Sequence, residues 1–154
     1  MTIQIDTREK ARAIKQIVSY FDEMGVKHYT SKLFVGDYMS LDNPRLIIDR
    51  KQNLQELCGN VCQQHERFTN ELRRAKENGI KLIILCEHGG GIKDLSDVQR
   101  WINPRLKTSP KAVSGKQLFK ILFTLKQKYG VDFVFCEKRM TGLEIMKILG
   151  GGTI

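Results

Sequence analysis

The 154-residue chain is poor in the features that mark several protein classes. Four cysteines are too few for a disulfide-held scaffold and read as free thiols of a reducing cytoplasm. No apolar run approaches the roughly 20 residues of a membrane-spanning helix. Asp6, Arg8, Glu9 and Lys10 interrupt the N-terminus before the apolar core of a secretory leader could form. Internal repeats and low-complexity segments are absent. No G-x-S-x-G elbow accompanies His88-Gly89-Gly90-Gly91, so hydrolase chemistry of that type is excluded and those residues read as a turn. Ser114-Gly115-Lys116 lacks the other positions of a P-loop, which leaves no nucleotide cradle. Cys58, Cys62 and His65 share a helical face but want a fourth ligand, and they read as thiols rather than a zinc site.

Acidic residues are also in short supply. Lys and Arg total 26 against 17 Asp and Glu, a formal charge of +9 with a pI near 9.5. Such an excess draws polyanions and steers their association. The stretch from Arg100 to Lys120 holds no acidic residue. It carries Arg100, Arg105, Lys107, Lys111 and Lys116 with Trp101 and Asn103 interleaved, and is the expected DNA-contact surface. Trp101 has two readings, a base-stacking platform or an aromatic anchor in the core.

Strand and helix patterns alternate along residues 1–150, which read as one domain with a short tail over 151–154. Strands are expected at Ile3 to Asp6, Lys27 to Leu33, Asp37 to Leu41, Arg45 to Asp49, Lys81 to Cys86 and Val131 to Cys136. Helices are expected from Arg8 to about Gly25, Asn53 to Asn78, Leu95 to Ile102, Gly115 to Tyr129 and Thr141 to Leu149. KLIILC reads as a strand buried on both faces. The order suits an α/β fold with a mixed central β-sheet flanked by helices.

The chemistry concentrates at Asp37, Asp49 and Lys51. Asp49 and Lys51 are two apart on a strand and point to the same face. A hairpin symmetric about Asn43 sets Asp37 opposite Asp49, with β-carbons roughly 5 Å apart. Facing carboxylates repel unless a cation joins them, and a hard, oxygen-seeking ion such as Mg²⁺ suits the pair. Lys51 can then orient an attacking water and stabilise charge on the transition state. Asp6 carries two readings. Asp6 and Glu9 have the spacing of a capping box ahead of Ala11, Ile14, Ile17, Val18 and Phe21, and the second reading comes only with the family resemblance given below.

D-x11-D-x-K matches the general pattern of PD-(D/E)xK nucleases, and the wider set of motifs resembles the XPF-type nuclease family. Gly36-Asp37 followed by Asp49-Arg50-Lys51 is similar to its G-D-x(n)-E-R-K-x3-D signature. Asp6-Thr7-Arg8-Glu9 is similar to its D-x-R-E, and Arg67-Phe68 with Glu71-Leu72 resembles the helix after its lysine. The resemblance implies a restriction-endonuclease-like fold and an endonuclease using Mg²⁺ or Mn²⁺ to hydrolyse phosphodiesters in branched or flap DNA, in repair, recombination or phage DNA processing. It implies Asp37 and Asp49 as metal ligands, with Asp6 as a ligand or outer-shell group and the Arg50 carbonyl as a further donor. Lys51 would position the water, while Arg8 and Arg50 would contact phosphate or brace the carboxylates. It also implies a homodimer through the late helices, Leu118 to Tyr129 and Leu143 to Leu149. Two departures stand out: Asp49 replaces the usual Glu, and Gln55 replaces the final Asp, with Glu56 directly after it. They motivate a second reading, a catalytically weak DNA-binding scaffold or partner subunit.

Overall fold

Local periodicity and the pairing of distant strands combine, in the computed structural model, which describes residues 1–151, into a six-stranded mixed sheet between two helical layers. In chain order the strands are β1 (Thr2–Ile5), β2 (Lys27–Thr30), β3 (Tyr38–Ser40), β4 (Asn43–Lys51), β5 (Lys81–Glu87) and β6 (Asp132–Cys136). The helices are α1 (Lys15–Glu23), α2 (Leu54–Cys62), α3 (His65–Glu77), α4 (Gly115–Tyr129) and α5 (Thr141–Leu149). The sheet order is β2-β1-β3-β4-β5-β6. β3 runs antiparallel to both β1 and β4, while β4, β5 and β6 are parallel. The α/β class and mixed sheet match the reading of the sequence. The tail expected over 151–154 falls, apart from Gly151, outside the described residues. None of the described helices is long and apolar enough to cross a membrane.

Alternation along the strands divides the core in two. Ile3, Ile5, Ile48, Ile83 and Leu85 pack under α1 and α5, against Ile17, Phe21, Ile145 and Ile148. Ile47, Leu82, Ile84 and Cys86 face α2, α3 and α4, against Leu57, Leu72 and Leu118. By the same alternation Asp49 and Lys51 belong to the α2–α4 side and Arg50 to the α1–α5 side. Each fully buried aliphatic side chain contributes about 1.5–3 kcal/mol, so moving β4 by one residue would forfeit both faces at once.

Several elements depart from the expected bounds. The first helix begins at Lys15 rather than Arg8 because Asp6 caps no helix. Its carboxylate accepts from the Arg8 N–H at 3.0 Å and the Leu33 N–H at 2.8 Å, closing a local turn and tying β1 to the following loop. The long helix expected from Asn53 to Asn78 is two helices broken at Gln63-Gln64, whose N–H groups both return to the Gly59 carbonyl. Leu95–Arg100 is a 3-10 turn, and a second one follows at Pro104–Lys107. α4 keeps its expected bounds, with Ser114 and Gln117 forming a capping box and Gly130 at φ +69° ending the helix.

Gly36 has a physical reason to be glycine. Its φ is +68°, and a β-carbon there would lie 2.5 Å from Cγ2 of Ile47 and 3.0 Å from the Ile48 carbonyl oxygen. Left-handed strain and the clash add up, so Gly36→Ala should lose about 2–4 kcal/mol in urea denaturation. A loss under about 1 kcal/mol would show that the backbone here yields.

Candidate active site

The register at the head of β3 determines the site. Tyr38 pairs with Ile48 and Met39 with Ile47, so one further step sets Asp37 opposite Asp49. The turn itself is not symmetric about Asn43. A register shift after Met39 pairs Ser40 with Asn43 and absorbs the difference away from the carboxylates. Asp37 precedes β3 but stays in the ladder, its N–H donating to the Ile48 carbonyl at 2.7 Å and its carbonyl accepting from the Asp6 N–H at 2.8 Å. The Arg50 N–H donates to Oδ2 of Asp37 at 2.8 Å. Lys51 Nζ stands 3.5 Å from Oδ2 of Asp49 and 5.4 Å from the centre of the Phe68 ring.

These groups line a cleft of about 300 Å³ between β4 and the helices α2 and α3. Glu56 and Asn60 reach it from α2, Arg67, Phe68 and Glu71 from α3, and Arg8 and Gly36 from the loops. Glu71 is the group that the analysis of single motifs did not select. Its pKa is pushed up to about 8, first by burial and then by the Asp49 charge. Asp37 is likewise held well above the usual carboxylate range by burial and by the charges of Asp49 and Glu9. Lys51 is shifted the other way in effect. Burial favours its neutral form, but Asp49, Glu71, Asp37 and Glu56 outweigh this and keep it above the ordinary lysine value, an ammonium at neutral pH. A signal for Glu71 was present: Arg67 and Glu71 are i, i+4 on α3 and share a face.

Oδ2 of Asp49 and Oε1 of Glu71 are buried without a hydrogen-bond partner among the described residues. Orphaned carboxylate oxygens are costly and call for a proton or a cation. Oxygen donors from Asp37, Asp49 and Glu71 fit a hard divalent ion, which needs only one or two carboxylates and completes its shell with waters and phosphate oxygens. Among the described residues no three His, Cys, Asp or Glu side chains already stand at metal-ligand spacing. A cation would therefore draw the carboxylates together.

The raised carboxyls have a measurable consequence for the metal-free protein. A group whose pKa rises on folding stabilises the fold while protonated, so the Glu71 contribution is full below about 4.5 and is lost as pH rises through about 8. Thermal melts in chelator should show stability falling across that window, and Glu71→Gln should flatten the fall. An identical pH profile in the variant would show that Glu71 does not carry it.

Asp6 does not enter the cleft. Besides the two N–H contacts, its Oδ2 accepts from Arg8 Nε at 2.6 Å, and the carboxylate is completely buried. Burial alone would raise its pKa, but the Arg8 side chain and the Leu33 and Arg8 N–H groups hold it below the usual range. It therefore positions Arg8, whose Nη2 also donates to the Gly36 carbonyl at 3.2 Å and whose side chain stays largely exposed at the rim.

The Arg50 guanidinium is committed to other carboxylates. It lies on the opposite face of the sheet, 5% exposed, bound to Glu9 by two bonds of 2.7 and 2.8 Å and to Glu87 at 2.5 Å. Glu87 in turn accepts from the Thr141 hydroxyl at 2.6 Å. The clamp joins the loop after β1, β4, β5 and the start of α5. The Arg50 backbone N–H, braced by this clamp, is the one that holds Asp37.

The basic stretch after β5 is not drawn to the carboxylates. Asn103 is 2% exposed and committed: its Nδ2 donates to the Val113 carbonyl at 2.9 Å and its Oδ1 accepts from the Arg105 N–H at 3.0 Å. Trp101 packs against the α2–α4 core, so the anchor reading holds. Arg100 pairs with Asp97 at 2.8 Å. Arg105 and Lys111 line a separate cleft with Gln55, Cys58 and Cys62, on another face of α2. Lys107 and Lys116 are exposed. The cations beside the carboxylates are Arg8, Lys51 and Arg67 instead. Gln55 faces away from the site and Glu56 faces into it, so the neutral amide at 55 removes no charge from the cleft.

Comparison with known proteins bears on the family and the fold. The ERCC4 domain profile matches residues 5–149. Two solved structures of XPF from Aeropyrum pernix superpose with TM-scores of 0.68, one free at 18% identity and one in complex with DNA at 19%. Each alignment covers 97% of this chain and 63% of the other, so the present chain spans under two thirds of those proteins. At such identity the likeness establishes a shared fold. Comparison with curated proteins gives no match.

Proposed function

The chain belongs to the ERCC4 domain family, and from that premise we propose that it is a metal-dependent DNA endonuclease acting on branched or flap DNA. The observation that carries the proposal is the meeting of Asp37, Asp49 and Glu71 beside the Lys51 ammonium, in a cleft rimmed by Arg8 and Arg67. DNA in the complex of the Aeropyrum pernix protein supports nucleic acid as the ligand of this fold.

Mg²⁺ or Mn²⁺ held by Asp37, Asp49 and Glu71 would supply charge neutralisation at the scissile phosphate. The chain's own residues do the rest. Lys51, protonated and walled by Phe68, donates a hydrogen bond from Nζ toward the attacking water or a non-bridging phosphate oxygen. Arg8, fixed by Asp6 and the Gly36 carbonyl, offers its free guanidinium nitrogens to phosphate. Arg67 supplies a second cation on the far wall. The Glu9–Arg50–Glu87 clamp keeps β4 in register so that Asp37 and Asp49 stay opposed.

One observation favours the second reading, a weakly active DNA-binding partner: among the described residues no three carboxylates are preassembled at ligand spacing. Labelled flap, fork, four-way junction and single-stranded substrates with Mg²⁺ and with Mn²⁺ separate the two. Cleavage that disappears in Lys51→Ala while DNA binding persists supports the enzyme, and binding with no cleavage under either ion overturns it.

A homodimer is part of the same proposal. α4 turns Leu118, Leu122 and Leu125 into the core and leaves Phe119 and Phe123 stacked 5.8 Å apart on its outer side, Phe123 being 42% exposed. α5 spends Ile145, Ile148 and Leu149 on the core, so α4 is the better contact. Sedimentation of the protein as a monomer at micromolar concentration would exclude this contact.

A further inference from the structure

Phe34 is an exposed aromatic that the fold holds in place without burying. Leu33 and Val35 on either side are 5% and 1% exposed, while Phe34 is 59% exposed. The loop is tied down by hydrogen bonds. The Leu33 N–H donates to the buried Asp6 carboxylate at 2.8 Å, and Gln4 Nε2 donates to the Ser31 and Lys32 carbonyls at 3.2 Å each. With both neighbours anchored inward, the benzyl group between them is forced out. Arg74 lies over its ring, the guanidinium carbon 5.7 Å from the centroid. The pair therefore presents one aromatic and one cationic group, side by side, on a loop hydrogen-bonded to β1 and to Asp6.

Its position relates it to the cleft. Arg67, Glu71 and Arg74 are spaced i, i+4, i+7 on α3 and form one stripe. Glu71 lines the cleft with Asp49, and Arg74 follows it by three residues, a rise of about 4.5 Å along the helix. Successive nucleotides of a stacked strand rise by about 3.4 Å. Phe34 also lies three residues before Asp37, on the strand-entry loop itself. A phosphate seated on the carboxylates between Arg8 and Arg67 thus has a neighbouring nucleotide within reach of the Phe34 ring.

We propose that Phe34 and Arg74 form a stacking platform for an unpaired nucleobase adjacent to the scissile phosphate, which selects DNA with a single-stranded arm at the cut. The proposal rests on the nuclease reading of the cleft. An aromatic face takes any base, and only a base free of its complementary strand can lie flat on it. A paired base keeps its faces covered by its own stack. The arginine adds attraction to the phosphate and to the ring.

The test uses a DNA strand carrying 2-aminopurine at successive positions, single-stranded or paired throughout, bound in Ca²⁺. Wild-type protein should quench the probe at one position of the unpaired strand. Phe34→Ala should abolish that quenching and weaken unpaired-strand binding by roughly ten-fold or more, with a clearly smaller loss on the duplex. Phe34→Trp should restore both, and Arg74→Ala should weaken the unpaired strand selectively. Equal losses on both DNAs, quenching that survives Phe34→Ala, or failure of Trp to rescue overturns the platform. The two readings fail separately. Phe34-dependent quenching in a protein that cuts nothing removes the enzyme and leaves the platform, whereas cleavage with Phe34-independent binding does the reverse.

Discussion

Asp49→Asn is expected to reduce cleavage by about 10²–10³-fold or more while leaving the metal-free fold as stable as wild type or more so. Asp49 is the hub of the site: its charge raises the pKa values of both Asp37 and Glu71, and it faces Lys51. Losing one preorganised charged group in an enzyme site costs two to three orders of magnitude in rate. The same substitution removes the charge that pushes the Asp37 and Glu71 pKa values up, and so relieves a repulsion the native protein retains. Single-turnover cleavage and thermal melts in chelator measure the two halves. A variant that loses activity and several degrees of melting temperature together would mean that Asp49 is structural. Added Mg²⁺ should separate the proteins further, because a ligand at a hundred times its dissociation constant stabilises by about 2.7 kcal/mol and the variant forfeits this.

The second large effect concerns stability. Arg50→Met should lower stability by about 3–5 kcal/mol, a large part of the 5–15 kcal/mol typical of a domain. The substitution leaves Glu9 and Glu87, 9% and 2% exposed, as buried charges without their partner. At roughly 2–4 °C per kcal/mol for a chain of this size, the melting point falls by about 10 °C. Replacing the whole clamp, with Glu9→Gln and Glu87→Gln added, should recover much of the loss, because removing all the charges is far cheaper than orphaning two of them. Urea denaturation of the single and triple variants measures this, and a triple variant no more stable than the single one would show that the clamp is not a charge-pairing device.

Both predictions involve residues adjacent in sequence yet on opposite faces of one strand, and this bears on how much could be read from the chain. The two-residue spacing of Asp49 and Lys51 and the carboxylate at 37 were legible because a strand's period of two and a short hairpin are local properties. KLIILC was legible as the buried β5 for the same reason, as was α4 with its Ser114 box and Gly130 stop. Arg50 was assigned to phosphate or to bracing the site carboxylates, and its pairing with Glu9 and Glu87 was not legible, since those carboxylates lie 41 and 37 residues away. Asp6 and Glu9 form the pattern of a helix cap, but Leu33 and Arg50 compete for their carboxylates and win, so the helix starts later. Asn103, polar amid lysines, was read as a DNA contact and Trp101 kept both a stacking and an anchor reading, because burial is not a local property.

The amino-acid pattern alone established an alternating α/β chain, an excess of positive charge, and a carboxylate pair with a lysine on one strand face. Each follows from composition or from spacings of a few residues, where backbone geometry leaves little choice. Tertiary structure decided that Glu71 lines the cleft with Asp37 and Asp49, that the Arg50 guanidinium pairs with Glu9 and Glu87, that Arg105 and Lys111 line a separate cleft, and that Phe34 faces outward against Arg74. Those outcomes depend on which distant groups compete for one buried charge or one patch of core, and that competition is settled only when the sheet brings them together.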